Sequence, residues 1–104
     1  MTLEQKKAYN IDKKKLFDSM KDALIGSKFT IKSNDEAVGK FTITAPPSWL
    51  SYGEIIEIII SAQENGSSIV YVRAEARAFF NLTSGPSVKK DIDDIFLLLD
   101  KKLN

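Results

Sequence analysis

The 104-residue chain has no cysteine and no histidine. Without cysteine there is no disulfide, thiol nucleophile, thiolate zinc site or iron–sulfur ligation. Without histidine the commonest general base and the commonest transition-metal ligand are missing, and a Ser–His–Asp triad is excluded. Carboxylates, lysines and tyrosines remain, so the composition disfavours an enzyme without forbidding one. Proline is scarce, with three residues, two of them adjacent at Pro46-Pro47. An excess of one charge is also lacking: 15 basic and 14 acidic side chains leave a formal net charge of +1. This predicts no strong field around the molecule and disfavours a dedicated nucleic-acid binder. Long apolar runs are absent. Ile58–Ile60 and Ile95–Leu99 fall well short of the roughly 18 residues of a membrane span. The polar segment Met1–Asn10 has no signal-peptide core, so the chain reads as cytoplasmic. The sequons at Asn65 and Asn81 carry no weight without a secretory signal.

What is present suits one folded α+β domain: 43% hydrophobic and 28% charged residues. Residues 1–10 show no periodicity and read as an N-terminal tail, leaving 11–104 as the domain. Asp12 is a good helix N-cap, with Ile11 placed to staple onto Leu16. Leu16, Phe17, Met20, Ala23 and Leu24 then recur at helical spacing, and Gly26 supplies a left-handed stop. The spacing predicts a helix over 12–25.

The period next changes to alternation. Phe29 and Ile31 share a face, Ser33–Glu36 reads as a turn, and Phe41, Ile43 and Ala45 share a face before Pro46-Pro47 ends the strand. A third strand over about Tyr52–Ala62 puts Ile56, Ile58 and Ile60 on one side. A fourth over about Ser68–Phe80 puts Val70, Val72, Ala74, Ala76 and Ala78 on one side. Inner residues must pair with inner residues, because a one-residue slip turns every side chain over. This sets Ile60 beside Val70, Ile58 beside Val72 and Ile56 beside Ala74. It leaves the three-residue loop Glu64-Asn65-Gly66, with Gly66 at a left-handed bulge position, and sets Glu57 opposite Arg73. After punctuation at Gly85-Pro86, Ser87 reads as the N-cap of a helix whose stripe is Val88, Ile92, Ile95, Phe96, Leu99 and Leu103. Asp91, Asp93 and Asp94 early in it, and Lys101 and Lys102 late, suit the helix dipole. The order α-β-β-β-β-α predicts a two-layer sandwich: a four-stranded antiparallel meander with both helices on one face.

The segment Ser48-Trp49-Leu50-Ser51-Tyr52-Gly53-Glu54 resembles the Ser-(Trp/Tyr)-Gly-Glu turn of small bacterial domains of unknown function. Those domains have a leading helix, a meander and a closing helix. Tyr52 stands where Trp is commoner. The resemblance implies a fold over nearly the whole chain and no activity.

Candidate functional residues fall in four places. Pro46–Glu54 gathers Trp49 and Tyr52, which suit either a recognition loop with aromatic anchors or plain packing over the core edge. The outer sheet face carries Ile55, Ile59, Tyr71 and Phe79 with Arg73 and Arg77. Aromatic and basic residues on an open sheet suit single-stranded RNA, but Glu57 and Glu75 sit among them. A Glu57–Arg73 solubilising ladder or a protein contact fits better. Lys6, Lys7 and Lys13–Lys15 form a basic segment whose ordinary reading is a solvated helix end, and whose functional reading is contact with an anion. The clustered aspartates lack calcium-loop spacing. Glu54 and Glu75 lie on neighbouring strands, with nothing to fix them as an acid–base pair.

These features imply no catalytic residues, no cofactor and no metal. The expected function is a non-catalytic protein-interaction or homo-oligomerising module, for example a homodimer, using the outer face: Trp49, Tyr52, Ile55, Ile59, Tyr71, Arg73, Arg77 and Phe79. The alternative is a carrier of a small apolar ligand between the helix layer and the sheet, because the small side chains of Ala74, Ala76 and Ala78 leave volume to fill. An enzyme working through carboxylate, Lys or Tyr is the weakest reading.

Overall fold

The computed structural model describes residues 2–46, 51–78 and 81–104, with side chains for residues 2–46, 54–75 and 88–104. Along the chain the elements are β1 (Thr2–Tyr9), α1 (Lys13–Leu24), β2 (Thr30–Asp35), β3 (Lys40–Ala45), β4 (Ser51–Ala62), β5 (Ser68–Ala78) and α2 (Asn81–Leu103).

Local chemistry accounts for the boundaries of α1. Asp12 is extended (φ −67°, ψ 158°), and its carboxylate accepts from the Lys15 N–H at 2.9 Å, satisfying one of the helix's orphan donors. The helix ends in a type II turn. Ile25 lies at φ −65°, ψ 126°, Gly26 at φ +83°, and the Ser27 N–H donates to the Leu24 carbonyl at 3.1 Å. The Ser27 hydroxyl donates to the same carbonyl (2.6 Å) and accepts from the Phe29 N–H (3.1 Å), which aims the chain into β2.

The β4–β5 hairpin has the register that the apolar rows dictate: Ile60 beside Val70, Ile58 beside Val72, Ile56 beside Ala74 and Glu57 beside Arg73. The Gln63 N–H donates to the Ser67 carbonyl at 2.8 Å, leaving Glu64-Asn65-Gly66 as the loop with Gly66 at φ +80°.

The expected four-stranded meander is wrong by one strand. The sheet has five, in the order β1-β5-β4-β3-β2, every neighbouring pair antiparallel. The segment read as a tail is β1, paired with β5 from Thr2↔Glu75 to Tyr9↔Ser68. Periodicity missed it because its inward row, Leu3, Gln5, Lys7 and Tyr9, has only two apolar members. Backbone pairing along the free edge of β5 sets its structure instead. The edge strands are protected: β1 carries Lys6 and Lys7, and the β2–β3 ladder shifts register between Ile31 and Ser33, an irregularity that blunts β2. That shift also carries β2 to Asp35 and moves the turn from Ser33–Glu36 to Glu36–Gly39. The Gly39 N–H donates to the Asp35 carbonyl at 2.8 Å. The second helix starts at Asn81, not near Ser87, so Gly85-Pro86 lies inside it. Proline there forgoes one backbone hydrogen bond without ending the helix.

Both helices cover the same sheet face. Leu16, Phe17, Met20 and Leu24 of α1 meet Val88, Ile92, Ile95, Phe96 and Leu99 of α2 over the inner rows of β3, β4 and β5. Phe17 stacks on Phe41 with ring centroids 4.4 Å apart. Gly39 is needed where the β2–β3 turn meets β4. Its φ is +84°, its carbonyl accepts from the Ile60 N–H at 2.8 Å, and an added Cβ would collide with the Ile60 carbonyl oxygen and lie 2.8 Å from Lys13 Cε. Gly39→Ala is expected to lower stability by about 2–3 kcal/mol, read as a shift in the urea midpoint at unchanged slope.

Candidate functional site

The outer sheet face brings together four of the eight candidate interaction residues. Ile59 pairs with Tyr71 and Glu57 with Arg73, while Ile55 lies two residues along β4. Ile55 is 42% exposed, and Ile59, Tyr71 and Arg73 are partly covered. Trp49 and Phe79 lie outside the described residues. Tyr52 and Arg77 occupy positions in β4 and β5, with side chains outside the description. The charges around these residues pair with one another. Glu57 meets Lys40 at 2.9 Å and Arg73 at 3.5 Å, and Arg73 also reaches Glu75 at 3.8 Å. β1 adds Glu4 and Lys6 to the face. Tyr71's hydroxyl pKa is raised by desolvation, then by a hydrogen bond to Glu4 and its charge. This face is therefore a ladder of opposite charges crossed by a few apolar side chains, and the exposed Glu75 belongs to it. Glu54 points the other way, so the two carboxylates do not form a pair.

Three lysines of the basic segment, Lys7, Lys13 and Lys14, make structural ties. Lys13 Nζ donates to the Ala37 carbonyl at 3.1 Å, and Lys14 pairs with Asp18 and Glu36. These contacts hold the start of α1 against the β2–β3 turn. Lys7 and Tyr9 both donate to Asp100 of α2 at 2.7 Å, clasping β1 to the last turns of that helix. Burial pushes the Asp100 carboxyl pKa up, but the donors Lys7 and Tyr9 outweigh it and hold it below the usual range. Burial, then the Asp100 contact, drives the Tyr9 hydroxyl pKa upward. A carboxylate depressed in the folded state stabilises above its unfolded pKa and loses that contribution as pH falls through its folded value. Asp100→Asn should therefore cost about 1 kcal/mol near neutrality, the pairs being partly exposed. The gap between it and the parent should close as pH falls below about 4, as paired urea titrations would show.

A second polar tie was invisible in the sequence. Lys28, in the α1–β2 connection, donates to Asp91 and, at 2.9 Å, to Asp94. From the sequence Asp91 reads as an acid early in its helix that suits the dipole. It instead lies mid-helix, 7% exposed, and serves as the counter-charge to Lys28. Desolvation lowers the Lys28 pKa, but the two carboxylates outweigh it and raise it; Lys28 and Lys90 likewise hold Asp94 below its usual range against desolvation. Beside this clamp a groove of about 200 Å³ runs between the connection and α2, lined by Phe29, Leu97, Leu98 and Lys101 among others. Leu97 is 53% exposed.

The inner face has two unlike ends. Toward Ser68 and Ala62 it is filled by Phe17, Phe41, Ile58, Ile60, Val70 and Leu99, all essentially buried. Toward Ala76 the row becomes small and carries an acid. Glu54 follows Ile60, Ile58 and Ile56 inward along β4, is 2% exposed, and sits between Ala45 of β3 and Ala76 of β5. Ala74, also buried, pairs with Ile56. Among the described residues no group of three or more acidic side chains is placed to hold a metal ion, and no helix is long and apolar enough to cross a membrane.

Two helices closed over one face of a five-stranded antiparallel sheet place the chain, by fold, beside the helix-grip architecture of Bet v1 and START proteins. Among solved structures it is similar to Ara h 8.0201, with 13% identity, TM-score 0.71, and coverage of 97% of this chain and 95% of that one. It is also similar to the Zhui aromatase/cyclase from Streptomyces sp. R1128 (8%, 0.70, 98% and 93%) and to a START superfamily protein from Mycobacterium smegmatis (13%, 0.55, 98% and 93%). At these identities the likeness is one of fold. No protein-family model matches the chain, and no curated protein matches its sequence. The Ser48–Glu54 resemblance thus stands only for a small α+β domain.

Proposed function

We propose that this protein binds a small apolar ligand between its helix layer and its sheet, toward the Ala45–Glu54–Ala76 end of the inner face. The observation that carries the reading is the change along that face, from isoleucine and phenylalanine to alanines around a buried carboxylate. Ligand sites are commonly apolar concavities with few polar groups that fix orientation. The fold supports the same reading. A neighbour over almost the whole chain is named as an aromatase/cyclase, a type of enzyme that must hold an organic substrate. The proposal is one of binding, with no turnover assigned. Native mass spectrometry of the protein as purified from its host tests it. The expected result is a monomer carrying a small added mass, lost on denaturation. A bare dimer would overturn it.

A second reading rests on Ile55, which is 42% exposed beside Ile59 and Tyr71 on the outer face. There the ligand would be a protein, and the balanced charges of that face suit a second copy of this chain. In that case Ile59→Lys or Tyr71→Glu converts a dimer to a folded monomer in light scattering. A parent that is monomeric at high concentration removes this reading.

A further inference from the structure

We infer that Glu54 is the polar anchor of the ligand site and selects an apolar molecule that carries a hydrogen-bond donor, a hydroxyl or an amine. This rests on the carrier reading and assigns the chemistry of its ligand. Glu54 is the one charged side chain among the described inner-row residues of β3, β4 and β5. Its row otherwise reads Ile56, Ile58, Ile60, each at 0% exposure. Alternation alone would place a fourth large aliphatic residue at this position. A carboxylate in such a layer costs several kcal/mol in desolvation before its contacts return any of it. An acid at this position departs from the apolar pattern of its row, and departures of this kind concentrate at functional sites.

The neighbours on both sides agree. Ala45 and Ala76 are its partners across the two ladders, so both of its neighbours in register are small residues. In its ionised form this carboxylate only accepts hydrogen bonds, and that form favours a donor on the ligand and repels a second anion, a discrimination that apolar contact alone would lack. At the filled end, where Phe17 stacks on Phe41, the buried polar side chain is the neutral hydroxyl of Ser68, not a carboxylate.

Three probes of similar shape test the assignment by isothermal titration calorimetry: 2-naphthol, 2-methylnaphthalene and 2-naphthoate. The informative quantity is the ratio of 2-naphthol to 2-methylnaphthalene affinity, because it cancels the apolar contribution common to both. That ratio is expected to fall at least about tenfold from the parent to Glu54→Leu, the scale of one hydrogen bond to a charged group. The parent should bind 2-naphthoate at least about tenfold more weakly than 2-naphthol, and Glu54→Gln, which keeps the shape and removes the charge, should narrow that gap. If Glu54→Leu does not fold, the glutamine variant carries the test. A ratio unchanged on substitution, or 2-naphthoate as the tightest probe of the parent, overturns the anchor while leaving the carrier reading in place. Failure of the parent to bind any of the three up to their solubility overturns both.

Discussion

A variant lacking residues 2–9 is expected to lose its cooperative fold. A disordered tail would be removed at no cost, and these residues were read as one from the sequence. In the structure they are the edge strand β1, paired along its whole length with β5 and clasped to α2 through Asp100. At about 0.5–1.5 kcal/mol net for each hydrogen bond, losing this ladder costs at least about 4 kcal/mol. The partly buried Leu3 and Tyr9, which pack against the core, add to that. Typical domains hold only about 5–15 kcal/mol in total. The deletion also bares the unpaired edge of β5, whose Val70, Val72 and Ala74 lie directly beneath, and such an edge invites association. Circular dichroism melts should show loss of the sharp transition, and size exclusion should show aggregates. An unchanged melting temperature would return β1 to the status of a tail.

The rest of the fold was legible where one physical signal dominated. Apolar rows on β4 and β5 fixed the faces of the hairpin, because a one-residue slip would bury Arg73 and expose Ile58, and the three-residue loop with Gly66 chose the register among the pairings that remain. Asp12 and Gly26 set the ends of α1 through capping and a left-handed turn, both local effects. Where tertiary pairing overrode local pattern, sequence reasoning failed. β1 has no periodicity of its own and exists because β5 offers an edge. Gly85-Pro86 looked like an end but is tolerated inside α2. The register shift after Ile31 displaced the β2–β3 turn, and nothing in Thr30–Asp35 announces it.

The candidate site was less legible, for a similar reason. Ile55, Ile59, Tyr71 and Arg73 share one surface, and the Lys40, Glu57, Arg73 and Glu75 charges around them pair with one another. Glu54 was weighed only against Glu75, as an acid–base pair, although alternation already set the two on opposite faces. The signal available was the acid's position in an otherwise apolar inward row, two residues before Ile56. The Lys28 clamp had no such signal. Lys28 follows a turn, and Asp91 and Asp94 lie more than sixty residues further on. Only the packing of the α1–β2 connection against α2 brings them together.

Phe41→Ala is expected to destabilise the protein by about 3–5 kcal/mol, the usual range for removing a buried phenylalanine ring. Phe41 has no exposed surface, stacks on Phe17, and lies in the β3 row beside Ile58. Its neighbours belong to three different elements, so backbone collapse cannot close the gap and an apolar cavity should remain. Cavities of this kind stay dry and accept small aromatic molecules. Benzene should therefore restore part of the loss, raising the melting temperature with concentration as a ligand of the folded state does. The comparison with the parent protein carries the functional weight. In the parent this end of the interior is filled, so a small aromatic that stabilises the parent as well must seat elsewhere, and amide shifts on binding should then concentrate at Ala45, Glu54 and Ala74. Shifts concentrated at Phe41 and Ile58 of the parent would place the ligand at the wrong end of the sheet for Glu54 to anchor it.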